Sequence, residues 1–257
     1  MRLKVIACEI MYREICYCVC QSKNIVDITS LRKGLHDIGQ EEMSKALQEE
    51  IDQVSKDKYE AILLGYGLCN NGVAGLTAGE VPLVVPRAHD CITLLLGSKE
   101  RYREYFDAHP GTYFRSTGWI ERNFLDEEHQ GEDIPSQLGL NRTLEEYVVK
   151  YGEENALYLM ETFEKWNGLR NYDRIAYIDM DIGEFQKYEE KARTEASDKG
   201  WKFQRLNGDI GLLKRLIDGN WNEEEFLVVQ PREKIVPTYV GGIVRAQVAD
   251  RERASKR

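Results

Sequence analysis

The sequence has no apolar stretch that approaches the roughly 20 residues needed to cross a lipid bilayer. The apolar stretch near the N-terminus, within residues 1–8, is also too short for a secretory signal peptide. The only basic cluster is the tail at 251–257, and the formal net charge is −9. An acidic chain repels a phosphate backbone. We therefore expect a cytoplasmic protein with a small-molecule substrate and with neither nucleic acid nor membrane as a partner.

Cysteine pairs of the Cys-x-x-Cys type are also absent, although the chain has six cysteines. In the cytoplasm these thiols stay reduced, which favours metal binding, catalysis or burial over disulfides. Cys16, Cys18 and Cys20 alternate along the chain, so no single face of a helix holds all three. We interpret these three as buried or incidental cysteines.

Apolar runs alternate with helical patterns along most of the chain. Runs at 3–8, 59–66 and 81–85 predict buried strands, and the spacing of apolar residues at 39–54 predicts a helix. This alternation predicts an α/β fold with a mostly parallel, Rossmann-like sheet flanked by helices. We expect one compact unit with a first α/β half at 1–98, a helical insert at 99–170, a second α/β half at 171–240 and a C-terminal tail at 241–257.

Three of the predicted strands end near a cysteine or histidine. Cys8 ends the first strand, Cys69 follows the strand at 59–66, and His89 and Cys91 follow the strand at 81–85. The carboxyl ends of parallel strands lie at one edge of a sheet, where open α/β folds bind ligands. We therefore predict that these side chains converge. The alternating run at 24–29 predicts a further strand, and His36, a few residues beyond it, should reach the same edge.

Thiolates and an imidazole are the ligands that zinc prefers, and iron or nickel also accept them. Zinc held by thiolates activates water, or deprotonates a substrate thiol at neutral pH. Gly65, Gly67 and Gly72 surround Cys69, which suits a backbone that approaches a ligand closely. The sequence therefore predicts a metal site with ligands drawn from Cys8, Cys69, His89, Cys91 and His36.

Two charged residues beside these ligands are candidates for catalysis. Arg87 is suited to clamping a carboxylate or phosphate, and the alternative is a salt bridge to one of the many acids. Glu9 is suited to acting as a general base or to orienting a histidine, and the alternative is a carboxylate at a helix N-terminus.

Two stretches, "LGYGLCNNGVAGL" at 64–76 and "PRAHDCITLLLGSKERY" at 86–102, resemble the DUF1638 family of bacterial and archaeal proteins, which has no assigned function. The resemblance covers most of the chain, including "GLH" at 34–36 and "STGW" at 116–119, and leaves Cys16, Cys18 and Cys20 outside the family pattern. It is weaker at Cys8 and His36, and strong at Tyr66, Gly67, Cys69, Arg87, His89, Asp90 and Cys91. Tyr66 and Gly67 are our candidates for contacting a cofactor.

The resemblance implies an α/β fold and a role in methyl transfer, because members are often found beside corrinoid-dependent methyltransferase systems. It also implies a corrinoid as a cofactor, or a corrinoid protein as a partner. The His-x-Cys unit is similar to the zinc motif of corrinoid:thiol methyltransferases, where a further cysteine ligand follows. No cysteine follows Cys91 here, so the third ligand has to come from upstream.

Our leading hypothesis is a zinc-dependent protein of methyl transfer or corrinoid-linked one-carbon metabolism. One alternative is a metal-free racemase or isomerase in which Cys8 and Cys69 act as acid and base on a carbon next to a carboxylate. Another is a non-catalytic module that binds a corrinoid or a metal.

Overall fold

The computed structural model describes residues 1–35, 39–122, 172–238 and 242–249, together with Val148, Glu153 and Leu157. Most of the predicted helical insert therefore lies outside the described residues. The strands are β1 Arg2–Cys8, β2 Ile25–Leu31, β3 Ala61–Gly65, β4 Leu83–Pro86, β5 Thr112–Ser116, β6 Arg174–Asp179, β7 Lys202–Asn207, β8 Phe226–Val229, β9 Glu233–Pro237 and β10 Val244–Val248.

Helices occupy most of the connections between these strands. A short 3₁₀ helix, Glu9–Met11, follows β1 directly. The α-helices are α1 Tyr12–Gln21, α2 Gln40–Asp52, α3 Cys91–Leu96, α4 Lys99–Ala108, α5 Thr117–Glu121, α6 Gln186–Asp198 and α7 Gly211–Asp218. In the described parts of the chain, no helix has the length and apolar character of a membrane span.

The largest sheet has five strands in the order β2-β1-β3-β4-β8. The first four are parallel, and β8 joins antiparallel to β4. A second sheet, β5-β6-β7, is entirely parallel, and β9 pairs antiparallel with β10. The prediction of an α/β fold with a mostly parallel sheet flanked by helices is confirmed. Strand β5 lies within the predicted insert and β10 within the predicted tail, and neither strand was predicted from the sequence.

Strands β3 and β4, in the middle of the large sheet, consist of apolar residues and are therefore buried. All five residues of β3 and all four of β4 are buried, as expected for strands covered on both faces. Gly65 is needed where β3 meets β1, because a Cβ atom there would lie 2.5 Å from the Cβ atom of Ala7. The carboxyl end of β3 therefore packs directly against the carboxyl end of β1.

The direction in which the strands are added to the large sheet reverses beside β1. From β1 the chain passes to β2 on one side, and then returns to β3 and β4 on the other side. In open α/β sheets, ligands bind outside the carboxyl ends of the strands at such a reversal of strand order. This reversal lies between the ends of β1 and β3, where Cys8 and Tyr66 are found, and we refer to this edge as the β1/β3 crevice.

Helix α5, which follows the first strand of the second sheet, packs against the segment that follows β1. A Cβ atom on Gly118 would lie 1.7 Å from the carbonyl oxygen of Ile10, so only glycine fits this contact. Arg13 adds two hydrogen bonds to the Glu121 carboxylate, at 2.8 and 3.0 Å. These contacts place the end of α5 beside the crevice.

Candidate functional site

Three cysteines from three different connections lie at the carboxyl edge of the large sheet. Cys8 is the last residue of β1, Cys69 lies in the loop after β3, and Cys91 is the first residue of α3. The loop of Cys69 is tied to the segment after β4, because its backbone N–H donates to the carbonyl of His89 at 2.9 Å. The backbone N–H of Leu68 donates to the carbonyl of Ala88 at 2.8 Å in the same way.

The three thiols are close enough for the charge on one to affect the others. The pKa of Cys69 is raised to about 12, first by burial and then by the charges of Asp90 and Cys8. The pKa of Cys91 is raised well above its ordinary value, first by burial and then by the charges of Cys69, Asp90 and Cys8. The structure therefore brings together three buried or half-buried thiols, and burial and neighbouring charge disfavour the ionisation of Cys69 and Cys91. All six cysteines of the chain are thiols, and no disulfide joins them.

The loop that carries Cys69 has a strained backbone. Cys69, Asn70 and Asn71 have φ angles of 44°, 55° and 64°, in the left-handed region that favours glycine. Asparagine tolerates this region, but a cysteine there costs on the order of 1–3 kcal/mol. Strain of this kind concentrates at binding sites, where the orientation of one side chain matters more than local stability.

Asp90 fixes the start of α3 and thereby the position of Cys91. One of its carboxylate oxygens accepts a hydrogen bond from the backbone N–H of Thr93 at 3.1 Å, as a helix N-cap does. The other accepts from the hydroxyl of Tyr102 at 3.0 Å. A Cβ atom on Gly67 would lie 2.6 Å from the backbone nitrogen of Asp90. Gly67 therefore allows the two cysteine-bearing loops to approach each other, and its predicted contact with a cofactor stays a prediction.

Glu9 is buried between the end of β1 and two other segments. Its carboxylate accepts a hydrogen bond from the backbone N–H of Lys33 at 2.8 Å and lies 3.8 Å from the guanidinium of Arg122. The ammonium of Lys33 lies 3.5 Å from the carbonyl oxygen of Trp119 and 5.2 Å from the centre of its indole ring. Glu9 thus joins the loop after β2 and helix α5 to the cysteine edge. Its role as a general base stays a prediction.

Tyr66 lies among the thiols. Tyr66 and Cys8 directly follow Gly65 and Ala7, the last residues that pair between β3 and β1. Burial raises the pKa of Tyr66 well above its ordinary value, and the charges of its neighbours raise it further. In order of effect, these neighbours are Cys8, Cys69, Glu9 and Cys91.

The remaining predicted site residues are placed differently. His89 is exposed, and its backbone carbonyl, not its ring, contacts Cys69. Arg87 donates to the backbone carbonyls of Glu223 and Gly242, both at 2.8 Å, and to that of Val244. These bonds hold the C-terminal segment against β4, and a contact of Arg87 with an acidic ligand stays a prediction. His36 lies outside the described residues.

Within the described ranges, no group of three or more His, Cys, Asp or Glu side chains is already arranged to hold a metal ion. Binding an ion through the three thiols therefore requires the sulfur atoms to move closer together. The assignment of Cys8, Cys69, His89, Cys91 and His36 as metal ligands stays a prediction.

Several residues that shape the site were not found from the sequence. Lys33 and Arg122 are far from Glu9 in the sequence. Nothing in their spacing indicates that they contact it. Asp90, in contrast, has a signal in the sequence, because an aspartate directly before the apolar run 91–96 is typical of a helix N-cap.

The fold and the site together define an α/β protein with three cysteines near the carboxyl ends of its parallel strands. The family described as "Protein of unknown function (DUF1638)" matches residues 30–217, and the chain belongs to this family. This confirms the family expected from the two motifs. The match includes Cys69, His89 and Cys91, whereas Cys8 and Glu9 precede it. No curated protein and no solved structure was found to match the chain.

Proposed function

We propose that the protein binds a soft transition-metal ion, zinc first, through the thiolates of Cys8, Cys69 and Cys91. We propose further that this centre acts in methyl transfer within one-carbon or corrinoid-linked metabolism. The observation that carries the proposal is the gathering of three thiols from separate strand ends at the crevice.

Burial and neighbouring charge make the thiols of Cys69 and Cys91 poor acids on their own, and a metal ion would offset this. A divalent cation takes the place of the thiol protons and offsets the repulsion among the sulfur atoms. Thiolates prefer soft or borderline ions, so zinc, iron and nickel are all suited to the site. His89, His36 or a bound molecule would complete the coordination.

Methyl transfer is the reaction class that this donor set supports best. Zinc held by thiolates lowers the pKa of a substrate thiol, and the resulting thiolate is the form that accepts a methyl group. A corrinoid, bound directly or carried by a partner protein, is the methyl donor in this proposal.

The metal-free alternative has one observation in its favour, since Cys8 and Cys69 flank the crevice and influence each other's ionisation. An acid/base pair of cysteines needs one thiol and one thiolate near neutral pH. The pKa of Cys69, raised to about 12, suits the proton donor. A thiol with so high a pKa does not supply the thiolate that acts as the base. For that reason we favour the metal-dependent function.

Metal analysis combined with alkylation of single cysteines separates these proposals. The full chain, purified without chelator, should contain about one zinc ion, as expected for a single thiolate centre. Removing the ion with EDTA should make Cys8, Cys69 and Cys91 react faster with iodoacetamide. The exposed Cys20 should react equally in both samples and is the internal standard.

Two other results would argue against the zinc centre. Protein that contains no metal and has one rapidly alkylated site cysteine would favour the racemase or isomerase alternative. Protein that binds metal or a corrinoid but leaves every methyl donor and thiol acceptor unchanged would favour the non-catalytic module.

A further inference from the structure

One buried hydroxyl of the site differs from those of the other buried tyrosines. The hydroxyl of Tyr66, a residue only 3% exposed, has no hydrogen-bond partner in the described parts of the chain. Among the described residues, each other buried tyrosine has a partner for its hydroxyl: Tyr59 has Asp27, Tyr177 has Thr117, and Tyr188 has Glu121. Buried polar groups without a partner are rare in native proteins, and each calls for a physical explanation.

The surroundings of this hydroxyl indicate where its partner binds. Tyr66 and Cys8 directly follow the last paired residues of β3 and β1, and the charged groups that influence the ionisation of Tyr66 are the three site thiols and Glu9. None of these groups is within hydrogen-bonding geometry of the hydroxyl. The missing acceptor is therefore best supplied by a molecule that binds among the thiols.

We infer that Tyr66 contacts the ligand, and that its hydroxyl donates a hydrogen bond to an anionic oxygen atom of the molecule held at the three thiols. This inference rests on the proposed function. A phenol hydroxyl is a neutral donor, and a hydrogen bond to an anionic oxygen is stronger than one to a neutral acceptor. The bound ion then keeps one position for an oxygen-bearing ligand, which is typical of catalytic rather than structural zinc sites.

Ligand binding to the full chain loaded with Co²⁺ tests this inference, because changes in the visible spectrum of Co²⁺ report its ligands. Acetate is the oxygen probe and 2-mercaptoethanol is the sulfur probe. The substitution Tyr66→Phe should weaken acetate binding about tenfold, the loss expected for a hydrogen bond to a charged group. It should change the affinity for 2-mercaptoethanol less than about twofold. Equal acetate affinities in the two proteins would overturn the inference.

The substitution Tyr59→Phe is the matched control, because Tyr59 is also buried but precedes β3, at the far end from Tyr66. It should leave acetate binding unchanged but lower the melting temperature of the metal-free chain, because the hydrogen bond to Asp27 is lost. Tyr66→Phe should leave that temperature unchanged or raise it, since the hydroxyl has no partner to lose. A decrease as large as that of Tyr59→Phe would count against the inference.

Failure of the proposed metal centre can be distinguished from failure of the inference about Tyr66. If the wild-type chain binds no Co²⁺, the metal proposal is wrong, and the melting temperature in acetate then decides the role of Tyr66. An acetate-dependent increase that Tyr66→Phe abolishes would support the inference, whereas equal behaviour of the two proteins would reject it.

Discussion

Replacing Cys69 by alanine should reduce the zinc content of the purified chain from about one ion to a small fraction of one. Loss of a group that merely orients a metal ligand already weakens binding about 10–100-fold, so loss of a sulfur ligand should weaken it at least about 100-fold. The same result is expected for Cys8→Ala and Cys91→Ala, because each thiol comes from a different strand end. Elemental analysis gives the stoichiometry, and competition with a chromophoric chelator gives the affinity.

The control for this series is Cys20→Ala, which removes an exposed thiol of α1. It should keep the full zinc content and affinity of the wild-type chain. Circular dichroism of all four variants should show the wild-type helix content, so that a loss of metal is not a loss of fold. Undiminished zinc binding in Cys69→Ala and Cys91→Ala would contradict the proposed ligand set.

The substitution Gly118→Ala should destabilise the protein by about 3 kcal/mol, at the upper end of the cost of overpacking. The added Cβ atom would lie 1.7 Å from the carbonyl oxygen of Ile10, a backbone atom that no change of rotamer moves away. The higher helix propensity of alanine, worth about 1 kcal/mol, offsets only part of this cost. For a protein of this size, the melting temperature should fall by roughly 6–12 °C.

The substitution Gly79→Ala is the matched control, because a Cβ atom there would meet no heavy atom within 4 Å. It should change the stability by less than about 1 kcal/mol. Because Arg122, which follows α5 directly, lies beside Glu9, Gly118→Ala should also weaken metal binding, whereas Gly79→Ala should not. Equal melting temperatures for the two variants would show that α5 does not pack against Ile10 as described.

The parts of the fold that local pattern determines were predictable from the sequence. Strands β1, β3 and β4 are compact apolar runs, and α2 has its buried Met43, Leu47 and Ile51 at helical spacing. Once these strands are parallel, the rule that their carboxyl ends share an edge brings Cys8, Cys69 and Cys91 near one another without any knowledge of side-chain positions.

The parts that depend on distant segments were not predictable in this way. Strand β5 exists because it pairs with β6, some 60 residues later, and β10 exists because it pairs with β9. The contact of Glu9 with Lys33 and the missing partner of the Tyr66 hydroxyl both depend on how separate loops pack. The left-handed backbone of Cys69 is likewise set by its hydrogen bond to the segment after β4, which no local pattern encodes.

The most direct test of the account is the number of sulfur atoms bound to the metal, measured by X-ray absorption at the zinc edge of the loaded full chain. We predict about three sulfur atoms at about 2.3 Å from zinc, with the remaining position filled by nitrogen or oxygen. A spectrum with no sulfur atom, or only one, in the first coordination shell would show that the three strand ends do not bind one ion together.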